Sequence, residues 1–292
     1  MSDPSSKAPE TLNEHRAHGG VVGYYQHEAT VTACAMRYAV FVPPQAERAP
    51  VPMLTWLSGL TCTEETFMIK SGAQRLAAEL GLIILAPDTS PRGADVPDDP
   101  DGGWDFGLGA GFYVNATAAP WSQHYRMYDY VVDELPALVA QQFPVDESRQ
   151  GIFGHSMGGH GALTIGLKNP DRYRSVSAFA PICHPSVVPW GKKAFSGYLG
   201  KDMASWADYD ATRIVAAMGP DSASGRPQIL IDQGMDDQFL DEQLAPDEFA
   251  KACDAAGQRL VLRKHPGYDH GYFFISTFID DHLRHHAASL SI

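Results

Sequence analysis

Gly151-Ile-Phe-Gly-His-Ser-Met-Gly-Gly-His-Gly161 decides the reading of this 292-residue chain. Gly151-Ile-Phe153 is a short apolar run of strand type, and a helical pattern runs from about Met157 to Lys168. Between them stands G-x-S-x-G, Gly154 to Gly158, where a serine must occupy a tight, strained strand-to-helix turn. The flanking glycines let neighbouring chains come close without a clashing Cβ, and Gly159 and Gly161 extend that small-residue surface. The pattern predicts a Ser156 hydroxyl held out at the carboxyl edge of a sheet, with the positive end of the next helix nearby. An incidental serine in a glycine-rich turn is the bland alternative, and the strand and helix on either side weigh against it.

Outward from the elbow the chain alternates in type. Upstream lie an apolar strand at Pro52–Leu57, a helix over Ala73–Leu80 closed by Gly81, and an apolar run at Leu82–Ala86. A long loop from Asp88 to about His124 precedes a helix ending near Phe143. Downstream come strand Val176–Ala180, strand Gln228–Asp232, a helix near Asp247–Ala256, strand Arg259–Arg263 and a last helix from about Tyr272. Alternation of this kind predicts a mainly parallel sheet with helices on both faces. Glu28–Thr32 and Met36–Val42, ending at Pro43-Pro44, predict an antiparallel hairpin before it. The expectation is a polar arm over residues 1–18, loose or peripherally packed, then one α/β domain over 19–292. Insertions at about 89–123 and 184–227 would lie above its active edge.

Composition narrows the function. Twenty-two Lys and Arg against 35 Asp and Glu give a net charge of −13, which argues against a global field that gathers nucleic acid. At 44% hydrophobic residues the chain can build a large core. The first ten residues carry no apolar signal region, and no stretch has the roughly 18 apolar residues of a membrane span. A cytoplasmic location with reduced thiols is expected, since Cys34, Cys62, Cys183 and Cys253 form no C-x-x-C pair. The acidic run Asp95–Gly103 lacks the ligand register of a calcium loop, and Asn115-Ala-Thr117 is an idle sequon without a secretory signal. His282, His285 and His286 share a helix face, but they read as structural rather than as metal ligands.

A serine hydroxyl needs a base, and the base an orienting acid, in the chain order Ser, Asp or Glu, His. Gly234-Met-Asp-Asp-Gln-Phe239 offers Asp236 and Asp237 beyond a strand end; the G-x-x-D spacing favours Asp237, and Asp232 inside the strand fits worse. Gly267-Tyr-Asp-His-Gly271 offers His270 as base. His155 and His160 are tied to the elbow, and His265 leads straight into Pro266. Ser58-Gly-Leu-Thr-Cys62 follows the early strand, so the Leu60 N–H can converge with that of Met157 on an oxyanion, with Gly59 or Thr61 as the donor after a one-residue shift.

Several long segments, agreeing in order along nearly the whole chain, resemble the S-formylglutathione hydrolase (esterase D) family of the α/β-hydrolase superfamily. They include Trp56-Leu-Ser-Gly-Leu-Thr-Cys-Thr-Glu-Glu65, Pro87-Asp-Thr-Ser-Pro-Arg-Gly93, Gly111-Phe-Tyr-Val-Asn-Ala-Thr117, Gly154 to Gly161, Pro189-Trp-Gly-Lys-Lys-Ala-Phe195 and Gly267-Tyr-Asp-His270. The resemblance implies an α/β-hydrolase fold and a cytosolic thioesterase releasing formate and glutathione. It also implies a triad of Ser156, Asp237 and His270, and a homo-oligomer, commonly a dimer. His184 stands where the family pattern has Asn, and Gly271 where Ser is usual.

Such chemistry needs no cofactor and no metal. A formyl group is tiny, so a cramped pocket walled by Trp190, Phe112 or Trp104 is expected. Glutathione is anionic like the chain itself, which directs attention to local cations: Lys70, Arg92, Lys192 and Lys193. Cys62, two residues past the oxyanion donor, is either a thiol that silences the enzyme when modified or a buried inert one. A broad carboxylesterase or an acyltransferase would use the same triad, and a silent binding scaffold would keep the fold without the chemistry.

Overall fold

The computed structural model describes residues 8–219 and 225–291. Nine strands form one sheet in the order β1-β2-β3-β5-β4-β6-β7-β8-β9. They are β1 Glu10–Ala17, β2 Gly20–Ala29, β3 Cys34–Val42, β4 Val51–Leu57, β5 Ile83–Pro87, β6 Val145–His155, β7 Tyr173–Phe179, β8 Ile229–Gly234 and β9 Leu260–His265. Strands β1, β2, β3 and β5 pair antiparallel, and from β5 through β4, β6, β7 and β8 to β9 every pairing is parallel.

The central strands read as unbroken apolar runs because both faces are covered. Every residue of β4 and of β5 is buried. The elbow helix Met157–Lys168 packs on β4, β6 and β7, and the C-terminal helix Tyr272–Ser289 on β7 and β8. The helix Gln74–Leu80 stops at Gly81, whose φ of 71° is left-handed and costs glycine little. Among the described residues no helix is long and apolar enough to cross a membrane.

Three expectations need adjusting. The segment 1–18 is polar and exposed where described, but it is not a loose arm: Glu10–Ala17 is an edge strand on β2. Residues 1–7 lie outside the described set. With its side chains mostly in solvent, β1 has no apolar alternation to read. Strand β6 starts at Val145, six residues before the apolar run, because its first half is polar and largely outside the core. The 184–227 insertion is not wholly irregular, since Pro189–Tyr198, Met203–Trp206 and Ala211–Ala216 are helical; residues 220–224 again lie outside the described set.

Candidate active site

The site lies where β4, β6, β8 and β9 end. At the end of β6, Ser156 has φ 57° and ψ −118°, a conformation that L-residues rarely hold without support from their surroundings. That support is visible. The Ser156 N–H donates to Phe179 O at 3.0 Å, and its carbonyl accepts from Ile182 and His160 N–H. A Cβ on Gly158 would sit 1.9 Å from Leu57 O, and one on Gly154 2.3 Å from Gly158 O. Only glycines allow β4 and the elbow to come this close.

The loop after β8 separates the two neighbouring aspartates. Asp236 is exposed and braces the loop by accepting from Gly267 N–H at 3.3 Å. The Asp237 carboxylate is buried, accepts from Phe239 N–H at 2.8 Å and from Gln233 Nε2 at 3.2 Å, and lies 2.5 Å from His270 Nδ1. That contact commits Nδ1–H to the carboxylate and leaves Nε2 as the basic nitrogen. His270 and Ser156 line one cleft of about 270 Å³. No hydrogen bond joins Ser156 Oγ to His270 among the described residues; such contacts commonly tighten only with substrate in place.

Beside His270 sits His155, buried but for an edge at the cleft, its ring centroid 4.5 Å from that of His270. Burial and the neighbouring imidazole push its pKa well below the usual range, so it is a neutral packing partner.

The candidate oxyanion loop follows β4. The Thr61 N–H is engaged by Gly109 O at 2.9 Å, which removes Thr61 as a donor. Leu60 and Met157 have no protein acceptor for their N–H groups among the described residues, Met157 being the first residue of its helix. The loop is pinned from behind, where Cys62 O accepts from Thr89 Oγ1 at 2.5 Å and from Arg92 Nη2 at 3.4 Å.

Of the residues expected at the substrate, Trp190, Trp104, Cys62 and Lys70 line the cleft. Trp190 packs against Trp104 and Phe239, and Phe239 stands edge-on to His270. Phe112, Arg92 and Lys192 are not in the lining. Phe112 is fully buried beside His160 and Met157, backing the elbow helix. Arg92 is drawn away by Asp88, a buried carboxylate that holds it with two hydrogen bonds of 2.7 and 3.0 Å. Lys192 is exposed, and Lys193 is paired with Asp99 and Asp105. Burial raises the Cys62 thiol pKa, outweighing the Thr66 hydrogen bond and the Lys70 charge that lower it, which argues against a reactive thiolate. His184, hydrogen-bonded to Glu248, and Gly271 both lie outside the lining.

Phe239 and Tyr272 are cleft residues that the sequence reading missed. Each stands two positions after a triad candidate, and that adjacency was the available signal. No group of three or more His, Cys, Asp or Glu among the described residues is arranged to hold a metal ion.

Comparison with known proteins follows the same lines. The Esterase family model matches residues 29–285. S-formylglutathione hydrolase of Mus musculus is 55% identical over 285 residues, covering 97% of this chain and 99% of the mouse protein. The protein of that name from Rattus norvegicus is 56% identical over 283 residues, 96% of this chain and 98% of its own. A solved S-formylglutathione hydrolase structure from Agrobacterium tumefaciens superposes with a TM-score of 0.92 at 51% identity, covering 96% of this chain and 99% of that one.

Proposed function

Because the chain belongs to the S-formylglutathione hydrolase family of serine esterases, we propose that it hydrolyses S-formylglutathione to formate and glutathione. The observation that carries the substrate is 55% identity sustained over 97% of the chain, which leaves little room for a rebuilt cleft. In this reading Ser156 is the nucleophile, His270 the base, Asp237 the group that orients it, and the Leu60 and Met157 N–H groups the oxyanion donors.

Ser156 Oγ attacks the formyl carbon as His270 Nε2 takes its proton, and the carbonyl oxygen becomes an oxyanion facing the two N–H donors. Collapse breaks the C–S bond, and the imidazolium returns the proton to the glutathione sulfur. A water molecule, deprotonated by His270, then cleaves the formyl-serine to formate and restores the hydroxyl. Asp237 stabilises the imidazolium at both stages. A wall of Trp190, Trp104 and Phe239 suits a small acyl group, and Lys70 at the cleft suits a glutathione carboxylate. No cofactor enters any step. We place the protein in the cytoplasm as a homodimer, one α/β-hydrolase domain with the described parts of the segments 89–123 and 184–227 over the site, acting on a small molecule rather than on nucleic acid or membrane.

The test is kcat/KM for S-formylglutathione beside p-nitrophenyl esters of increasing acyl length. The expected result is a strong preference for the thioester and ester turnover that falls steeply with length. Better turnover of butyryl and longer esters would overturn the substrate assignment in favour of a general carboxylesterase.

A further inference from the structure

A second cavity, larger than the cleft, lies on the other side of the loop that follows Cys62. It encloses about 390 Å³ between strands β2 and β3, the start of the helix Glu64–Lys70 and the segment after β5. Its charged lining consists of Arg37, Glu64, Glu65, Asp88 and Arg92. Asp88 and Arg92 satisfy each other through paired hydrogen bonds, so they form a neutral floor. Two groups are left over. Glu64 is only 3% exposed, yet no side chain among the described residues hydrogen-bonds to its carboxyl, whose one such neighbour is its own backbone N–H. Arg37, across the cavity on β3, uses Nε on Gln26 at 3.3 Å, while its two terminal nitrogens have no acceptor among the described residues.

With its own N–H as the one hydrogen-bond donor, the nearly buried Glu64 carboxyl keeps acceptor capacity free toward the cavity, and a carboxylate so placed is costly to maintain. A lone anion entering would meet Arg37 but also Glu64, Glu65 and Asp88; a lone cation would leave the Arg37 fork unused. A molecule that carries both charges satisfies both leftover groups at once.

We propose that this cavity binds a small zwitterion, an amino acid or dipeptide, whose ammonium group pairs with Glu64 and whose carboxylate is held by the terminal nitrogens of Arg37. The planar guanidinium fork matches a carboxylate in two parallel hydrogen bonds. The site is separate from the Ser156 cleft and does not depend on the reaction assigned to that cleft.

Binding also carries a proton signature. Burial, with the Asp88 charge adding to it, pushes the Glu64 carboxyl up to about 7. The groups facing it are Asp88 and Arg92 from the loop after β5, Arg37 from β3, Tyr24 from β2, and its neighbour Glu65. An ammonium group favours the ionised form, so a zwitterion entering at pH 6 displaces a proton.

The experiment is saturation-transfer NMR and calorimetry on the full chain with L-alanine and glycylglycine. N-acetylglycine and glycinamide, each lacking one charge, are the controls. The zwitterions are expected to bind at least tenfold more tightly than either control, and Glu64→Gln and Arg37→Gln each to lose at least tenfold, with ester turnover unchanged. At pH 6, heats in buffers of different ionisation enthalpy should report proton release, absent in Glu64→Gln. Should that variant fail to fold, Arg37→Gln, at an exposed position, carries the test. No saturation transfer at tens of millimolar, or equal binding of the controls, would overturn the proposal.

Discussion

Two aspartate–histidine pairs have aspartates only five residues apart along the chain, and they differ in what closes them. Asp232, inside β8, lies 3.2 Å from His282 Nε2, and Arg263 grips both of its oxygens at 2.6 and 2.5 Å. The pair continues inward through Ser177 to His286 and Ser175, all buried. Asp237, in the loop just beyond, holds His270 with no Lys or Arg on its carboxylate among the described residues, and its histidine opens on a cleft. Burial works against an ionised Asp232, but hydrogen bonds from His282 and Arg263 outweigh it and hold the carboxyl far below its usual range, while burial keeps His282 neutral. An Asp beside a His is therefore not chemistry in itself. With an arginine on the acid and no solvent at the base, it is a structural tie between strands and the C-terminal helix; with the base at a cavity, it is available for proton transfer.

The contrast can be broken or sharpened by substitution. Ser156→Ala should lower kcat by on the order of 10⁵-fold while leaving urea unfolding unchanged, since one hydroxyl is lost and no packing. Asp237→Asn comes next, at about 10⁴-fold in kcat, because the amide favours the wrong His270 tautomer; initial rates on p-nitrophenyl acetate measure both. Asp232→Asn should reverse the pattern, costing about 3–5 kcal/mol in urea unfolding as Arg263 loses its buried partner, with kcat of the surviving folded protein within a few-fold of wild type. If Asp232→Asn collapsed turnover and Asp237→Asn did not, the two pairs would have to exchange roles.

The pH dependence of stability sharpens the same point. The folded Asp232 carboxyl lies below its unfolded value, so its contribution is present above the unfolded carboxylate range and lost as pH falls through the folded value. Denaturant titrations from pH 6 down to pH 2 should thus show an acid limb that is shallower in Asp232→Asn. The smallest effect is expected for His184→Asn, which restores the family residue. Its partner Glu248 is half exposed, so stability should move by no more than about 1 kcal/mol, with kcat/KM unchanged.

Much of this was legible beforehand, for reasons particular residues make plain. The elbow could be read because Gly154 and Gly158 are the only residue type that fits against Leu57, so steric demand writes itself into the sequence. Asp237 was separable from Asp236 by its spacing from Gly234, and β4 and β5 by their unbroken apolar runs. Arg92 misled because its segment suggested a place near the substrate, whereas the buried Asp88 that claims it is a three-dimensional fact. Strand β1 was missed because its pairing with β2 rests on backbone hydrogen bonds, which leave no mark on side-chain polarity. Phe239 reaches the cleft from a turn and Tyr272 from the first position of its helix, where no periodicity guides the eye.

The candidate machinery is drawn from the ends of β4, β6, β8 and β9, residues 60, 156, 237 and 270, and no two of these strands follow one another without an intervening strand except the last pair. Turnover is thereby a late reporter of folding. A chain that had formed its helices and the β1–β3 meander would hold most of its secondary structure and none of its reactivity, since long-range parallel pairings close slowly. Recovery of hydrolysis after dilution from denaturant marks the docking of β8 and β9 on the sheet, an event that bulk helicity cannot register.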